Sequence, residues 1–182
     1  MLKTLVLIFA MVIPVYLSGQ QAYVNITSFG MLQGTSSDQH QSALSFISEH
    51  HYMFLKRLSA GFVTGIEQLN ENTMPVAAGI RYFQPAGRAK FIFSTVSGYS
   101  VSLEKPGFSG YYDPSVKKAK GGFLAGMEAG VMIPVNDCAA IMIGIGYRHS
   151  KLHYDLSDNW IGQYQRNHTF NRTSLRIGII LL

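Results

Sequence analysis

Cysteine and long apolar runs are the features that this 182-residue sequence most lacks. Cys138 is the only cysteine, which excludes an intramolecular disulfide and a cysteine-based metal cluster. After the first twenty or so residues, no apolar stretch reaches the roughly eighteen residues that a transmembrane helix needs. Dense lysine or arginine runs are also absent and the net charge of +5 is mild, so the sequence does not indicate a nucleic-acid partner.

The beginning of the chain has the pattern of an export signal. Lys3 supplies a positive start, an apolar core follows from Leu5 to Val15, and small residues end the segment at Gly19. We therefore predict a signal peptide over residues 1–19 and one domain over residues 20–182. A buried first strand or a membrane anchor is the alternative for the apolar segment.

Two stretches in the second half of the chain alternate apolar residues with glycine or charged residues. Lys120–Ile133 carries glycines and Glu128 on one side, and Cys138–Tyr154 carries glycines and Arg148 on one side. A period of two residues is typical of β-strands, whose successive side chains point to opposite faces. The segment Pro134–Asp137 has the residues of a tight turn, so the two stretches form a predicted hairpin.

The same reading over the whole chain predicts eight strands. They span Ala22–Leu32, Ser42–Phe54, Leu58–Leu69, Met74–Gln84, Arg88–Leu103, Lys120–Ile133, Cys138–Tyr154 and Thr169–Leu181. A tilted strand needs roughly nine to eleven residues to cross a bilayer, and these strands are long enough.

The connections between the predicted strands alternate between short turns and longer polar segments. The short turns are Leu55–Arg57, Pro85–Gly87 and Pro134–Asp137, and the longer segments are Gln33–Gln41, Asn70–Thr73, Glu104–Ala119 and Asp155–His168. Outer-membrane barrels place short turns in the periplasm and long loops outside the cell. The pattern therefore predicts an all-β fold, an eight-stranded antiparallel up-and-down transmembrane β-barrel.

Charged residues show which side of each predicted strand faces away from lipid. Arg172 and Arg176 share one side of the last strand, and an arginine at the bilayer midplane costs about 2–4 kcal/mol. Alternation along the other strands predicts an interior ion-pair network formed by Glu67, Arg81, Glu128, Arg148, Arg172 and Arg176. Glu49, His51 and Lys90 are also predicted to face inward, on strands that alternate less regularly. Eight strands enclose only enough room for side chains, so we predict a plugged polar interior without an open pore.

Aromatic residues occur near the ends of the predicted strands, where a membrane protein places its interfacial girdles. The predicted girdle residues are Tyr52, Phe54, Tyr82 and Phe83 beside the short turns, and Tyr99, Tyr111, Tyr112 and Tyr147 beside the long loops.

Several motifs resemble those of small outer-membrane β-barrel proteins of the Bacteroidota and, more broadly, the OmpA/OmpX-like eight-stranded barrels of Gram-negative bacteria. They are FLKRLSAG at Phe54–Gly61, GIRYF at Gly79–Phe83, GGFLAGMEAGV at Gly121–Val131, GIGYRHS at Gly144–Ser150 and SLRIGIILL at Ser174–Leu182. The resemblance implies an eight-stranded barrel and an outer-membrane location, and we predict a structural or interaction role for the protein. It differs at the last position, because many such barrels end in an aromatic residue and this chain ends in Leu182.

Two other functions fit parts of the sequence. A lipid A deacylase uses the same kind of barrel and a His-x-Ser motif, but His149 and Ser150 are adjacent and should point to opposite faces. His153 and Glu128 are further candidates for such a site. A soluble periplasmic carrier of the lipocalin type is the second alternative.

We expect no enzymatic activity, no cofactor and no metal site. The sequence His50–His51 beside Glu49 contains metal-ligand residue types, but alternation along a strand separates their directions. The expected partners are outer-membrane lipid and lipopolysaccharide, together with extracellular proteins or glycans bound through the loops. No nucleic-acid partner is expected.

Overall fold

The computed structural model describes residues 23–36, 39–68, 72–103, 115–158 and 162–182. Its strands are β1 (Tyr23–Ser36), β2 (Gln39–Leu55), β3 (Leu58–Gln68), β4 (Asn72–Ala86), β5 (Ala89–Ser102), β6 (Ser115–Pro134), β7 (Ala139–Asp158) and β8 (Gly162–Leu181). Each strand pairs antiparallel with its sequence neighbours, and β1 also pairs with β8. The sheet is a closed barrel, which confirms the predicted eight-stranded up-and-down fold.

Helices do not contribute a membrane span to the described ranges. In the part of the chain that the structure describes, no helix is long and apolar enough to cross a bilayer. The predicted signal peptide, residues 1–19, lies outside the described residues and stays a prediction.

Three tight turns lie at the same end of the barrel, which we call the short-turn end. They are formed by Lys56–Arg57, Gly87–Arg88 and Val135–Cys138, within two residues of the predicted positions. Gly87 has a φ of 65°, a left-handed conformation that favours glycine in a two-residue turn.

The strands β6, β7 and β8 extend far into segments predicted to be loops. β6 begins at Ser115 inside the predicted loop Glu104–Ala119, and β7 and β8 together occupy most of Asp155–His168. The two strands stay paired up to Asp158 and Gly162. Paired backbone groups satisfy one another, so a polar sequence can continue a strand beyond the apolar belt. The prediction of loops was therefore wrong for residues 115–119, 155–158 and 162–168, which belong to strands.

Apolar side chains cover the outer wall of the barrel. On β8, Leu175, Ile177 and Ile179 are more than half exposed, whereas Arg172 and Arg176 on the opposite side of the strand are almost fully buried. Other large exposed side chains of the wall include Phe29, Phe46, Phe62, Ile80, Phe93, Met127, Ile143 and Ile145. An apolar surface of this extent is unfavourable in water and suits hydrocarbon.

The predicted aromatic girdles are only partly correct. Tyr52, Phe54, Tyr82, Tyr99 and Tyr147 are exposed on the outer wall. Phe83 is buried inside the barrel instead, because it follows Tyr82 and neighbouring side chains of a strand face opposite ways. Tyr111 and Tyr112 lie outside the described residues.

Apolar side chains also form three clusters inside the barrel, which the sequence did not lead us to expect in an interior predicted to be polar. The largest, at the short-turn end, contains Val24, Ile26, Phe83, Ile92, Met132, Ala140, Met142 and Ile180. A middle cluster contains Ile47, Val63, Ala77 and Leu124, and an upper cluster contains Leu32, Ala43, Leu152 and Phe170. Charged groups must therefore share the interior with hydrocarbon.

Candidate functional site

A cluster of charged side chains, here called the Glu49 cluster, lies inside the barrel on four alternate strands. Glu49 and His51 project from β2, Arg81 from β4, Glu128 from β6 and Arg176 from β8. Each lies within about seven residues of the short-turn end of its strand. Alternate strands of a small barrel contribute side chains to one layer, so these groups meet across the lumen.

Glu49 is the centre of this cluster. Arg81 donates from Nε to Glu49 Oε2 at 3.0 Å, and its Nη2 lies 2.8 Å from Glu49 Oε1. Arg176 Nη1 lies 3.1 Å from Glu49 Oε1, and His51 Nε2 lies 3.1 Å from Glu49 Oε2. One carboxylate therefore ties together side chains of β2, β4 and β8.

Glu128 completes the Glu49 cluster from the opposite wall. Arg176 contacts its carboxylate through both Nε and Nη2, and Arg81 Nη2 lies 3.5 Å from Glu128 Oε1. Each arginine thus contacts both carboxylates. Burial of a charge costs several kcal/mol unless it is paired and hydrogen-bonded, and this arrangement offsets that cost for all four ions.

A second ion pair inside the barrel joins a residue of β3 to a residue of β7. Arg148 Nη1 donates to Glu67 Oε1 at 2.5 Å, and both side chains are buried. Arg172 is the register neighbour of Arg148 on β8, and its guanidinium lies 5.1 Å from the centre of the Phe170 ring. A cation over an aromatic face is electrostatically favourable.

The six residues predicted to form one interior network belong to three separate groups of contacts in the structure. Arg81, Glu128 and Arg176 belong to the Glu49 cluster, Glu67 and Arg148 form the second pair, and Arg172 packs on Phe170. All six are buried, and they are Glu67, Arg81, Glu128, Arg148, Arg172 and Arg176.

Sequence reasoning gave too little weight to Glu49 and His51, which are fully buried at the centre. The usable signal was the alternation of the buried residues Ser45, Ile47, Glu49 and His51 with the more accessible residues between them. The adjacent polar residue His50 obscured it. Lys90, also predicted inward, lies at the short-turn opening.

The residues considered for a lipid A deacylase do not assemble. Ser150 is buried inside the barrel, while His149 faces the outer wall and its Nδ1 lies 2.7 Å from Asn171 Oδ1. His153 contacts Asn167 on the outer side of the same two strands. Glu128 is held in the Glu49 cluster.

A different serine, histidine and carboxylate form a chain of contacts of the kind that hydrolases use. Ser59 Oγ is 3.4 Å from His51 Nδ1, and His51 Nε2 contacts Glu49. Ser59 is fully buried, however, and Glu49 is already bound by Arg81 and Arg176. A substrate could reach this serine only if the barrel opened, so the contacts act here as hydrogen bonds within the Glu49 cluster.

His50 and His51 point to opposite sides of the wall. His51 faces the Glu49 cluster, whereas His50 contacts Tyr23 and Ser48 on the outer side. In the described part of the chain, no three histidine, cysteine, aspartate or glutamate residues group in a way that could hold a metal ion.

A closed eight-stranded barrel with an apolar outer wall and charged groups inside defines a class, the outer-membrane β-barrel proteins. The fold and the chemistry of the wall place this protein in an outer membrane.

Solved structures of outer-membrane proteins share this fold. The outer membrane protein OprG from Pseudomonas aeruginosa matches with a TM-score of 0.65 at 12% identity, covering 88% of this chain and 95% of OprG. Neisserial surface protein A matches with a TM-score of 0.60 at 11% identity, covering 87% and 95%. The outer membrane protein AlkL, solved in lipid bilayers, matches with a TM-score of 0.57 at 11% identity, covering 89% and 90%.

Sequence comparisons add no family to this fold. No protein-family model matches the chain, and no curated protein matches it.

Proposed function

We propose that this protein is a closed outer-membrane barrel that conducts no ions and has a structural and interaction role, not an enzymatic one. The observation that carries the proposal is the Glu49 cluster, whose side chains come from four alternate strands and contact one another across the lumen. Any ion path along the axis would have to separate these pairs.

The apolar clusters of the interior support the same conclusion. They lie at three levels, with nearly inaccessible side chains such as Ile26, Leu124 and Leu152. Apolar side chains this inaccessible to water leave no hydrated route for an ion past them. The buried position of Ser59 and the separation of His149 from Ser150 argue against a hydrolase.

Measurement of ion conductance in planar lipid bilayers tests the plug. We expect the folded wild-type barrel to show no steady unit conductance. The double variant Glu49→Ala/Arg81→Ala removes two crossing side chains but leaves the three apolar clusters in place, so it should also stay closed, as should Met127→Ala on the outer wall. Steady conductance of the wild-type protein would contradict the proposal.

The proposed partners are outer-membrane lipids, lipopolysaccharide among them, and molecules outside the cell. On β7, the outer side changes from Ile145 and Tyr147 to His149, Lys151 and His153. These cationic or titratable groups follow the apolar belt at the end opposite the short turns, where lipid phosphates of an outer leaflet would lie. The paired polar ends of β6, β7 and β8 extend further and offer a surface to extracellular proteins or glycans. We also propose kinship with the OmpA/OmpX-like barrels of Gram-negative bacteria and with the small barrels of Bacteroidota, on the sequence motifs described above.

A charge reversal at Lys151 tests the lipopolysaccharide contact. A basic residue near an anionic lipid surface contributes about 1 kcal/mol, so Lys151→Glu should weaken binding of purified lipopolysaccharide at least about fivefold. Native mass spectrometry of the detergent-solubilised barrel can measure it. Arg88→Glu makes the same change at the short-turn end and should leave the affinity unchanged. Equal losses in both variants, or no loss in either, would refute this contact.

A further inference from the structure

A cavity of about 550 Å³ lies among the turns at the short-turn end of the barrel. Its floor is formed by Val24, Met53, Phe83, Met132 and Leu182. Three of these side chains belong to the apolar cluster of that end, and Met53 and Leu182 pack against it. The floor therefore presents apolar side chains to a ligand.

The rim of this cavity is mostly cationic. Lys56 and Arg57 project from the β2–β3 turn and Lys90 from the start of β5, while Asp137 is the single carboxylate side chain in the lining. Among the described residues, no ion pair involves any of these three cations. Arg57 makes one long side-chain hydrogen bond, from Nη1 to Gln84 Oε1 at 3.5 Å. Three basic side chains thus surround an apolar floor, with Asp137 as the one carboxylate side chain in the lining.

We propose that this cavity binds a single-chain amphipathic anion, with its acyl chain on the floor and its carboxylate head at the cationic rim. The volume is within the range of about 300–1,000 Å³ that is usual for small-molecule sites. Apolar lining with a few convergent charged groups is the usual chemistry of such sites. The proposal goes beyond the structural role above and holds whether or not the barrel conducts ions.

The charge pattern favours this ligand over the other occupants of the same volume. A neutral lipid would leave the three basic side chains of the rim, Lys56, Arg57 and Lys90, with Asp137 as the single carboxylate side chain in the lining. A small hydrophilic anion would leave the apolar floor in contact with water. A long-chain carboxylate satisfies both parts of the cavity at once.

Cys138 provides a reporter for the experiment, because it is exposed, lines the cavity and is the only cysteine in the sequence. The full barrel in nanodiscs of phosphatidylcholine is treated with an uncharged maleimide, and the alkylation rate is followed against the tetradecanoate concentration. We expect saturable slowing of alkylation by tetradecanoate. Tetradecanol and acetate, which each supply one half of the ligand, should have little effect.

Two variants separate a site from a general surface effect. Lys56→Gln/Lys90→Gln should weaken protection by tetradecanoate about tenfold. Arg88→Gln removes a charge from the same end, outside the cavity lining, and should leave it unchanged. The proposal would be overturned if tetradecanol slowed Cys138 alkylation as strongly as tetradecanoate, or if Arg88→Gln weakened the protection as much as the double variant. It would also be overturned if phosphatidylglycerol nanodiscs protected Cys138 without added tetradecanoate.

Discussion

Replacement of Arg176 by leucine is expected to lower the free energy of unfolding by about 3–5 kcal/mol, the usual cost of leaving a buried charge without its partner. Arg176 contacts both Glu49 and Glu128, and its side chain is almost fully buried. After the substitution, Glu49 keeps Arg81 and His51, but Glu128 keeps only the 3.5 Å contact with Arg81. Urea unfolding in lipid vesicles measures the loss.

Two further variants assign that loss to the unpaired carboxylate. Arg176→Leu/Glu128→Gln removes the orphaned charge and should recover a large part of the stability. Thr173→Leu adds the same side chain to the outer wall of the same strand and should change stability by less than about 1 kcal/mol. An Arg176→Leu protein as stable as the wild type would show that the Glu49 cluster does not hold the barrel together.

Replacement of Ile177 by arginine is expected to cost about 2–4 kcal/mol, because Ile177 is exposed on the apolar wall and the charge would enter hydrocarbon. The neighbouring Arg176 carries the same charge on the inner side. At two adjacent positions of one strand, arginine is thus expected to stabilise the barrel on the inner side and to destabilise it on the outer side. The same urea titration, on Ile177→Arg, measures this difference.

The matched control for Ile177→Arg places arginine on the same side of β8 but further from the short-turn end. Thr169 is exposed and pairs with Lys151, above the apolar belt. The Thr169→Arg substitution should cost only about 0–1 kcal/mol, since membrane penalties fall towards the interface. Equal costs at both positions would mean that residues 169 and 177 share one environment, contrary to the proposed orientation in the bilayer.

The strand count, the antiparallel order and the orientation of β6, β7 and β8 could be predicted because their alternation is regular. Ile141, Ile143 and Ile145 face out, and Met142 and Gly144 face in. A membrane barrel imposes this rule strongly, since each wall residue meets either hydrocarbon or a narrow interior. Turn chemistry at Pro134–Asp137 then fixed where the pattern reverses.

The centre of the site could not be predicted with the same ease. Glu49 and His51 lie on a strand whose outer side carries the polar residues Ser48 and His50, so polarity alone did not distinguish the faces. Which carboxylate meets which arginine depends on tilt and register between strands far apart in sequence, such as β2 and β8. Alternation reports the face of a residue and carries no information on its partner across the lumen.

Strand length and interior packing were underestimated for a related reason. Polar residues near Ser115 and Gly162 suggested loops, but backbone pairing does not require apolar side chains. Phe83 was predicted to belong to the girdle because it lies beside a short turn, but its neighbour Tyr82 faces the lipid and Phe83 therefore faces the interior. Interior apolar residues resemble wall residues in composition, so only strict parity separates them.

The central claim is that apolar side chains face the lipid while the carboxylates and guanidinium groups lie inside the barrel. Its most direct test is the paramagnetic broadening of isoleucine δ1-methyl signals in nanodiscs that contain a lipid with a nitroxide on its acyl chain. We predict several-fold stronger broadening for Ile143, Ile145 and Ile177 than for the buried Ile26 and Ile180. Stronger broadening of Ile26 and Ile180 would contradict the account.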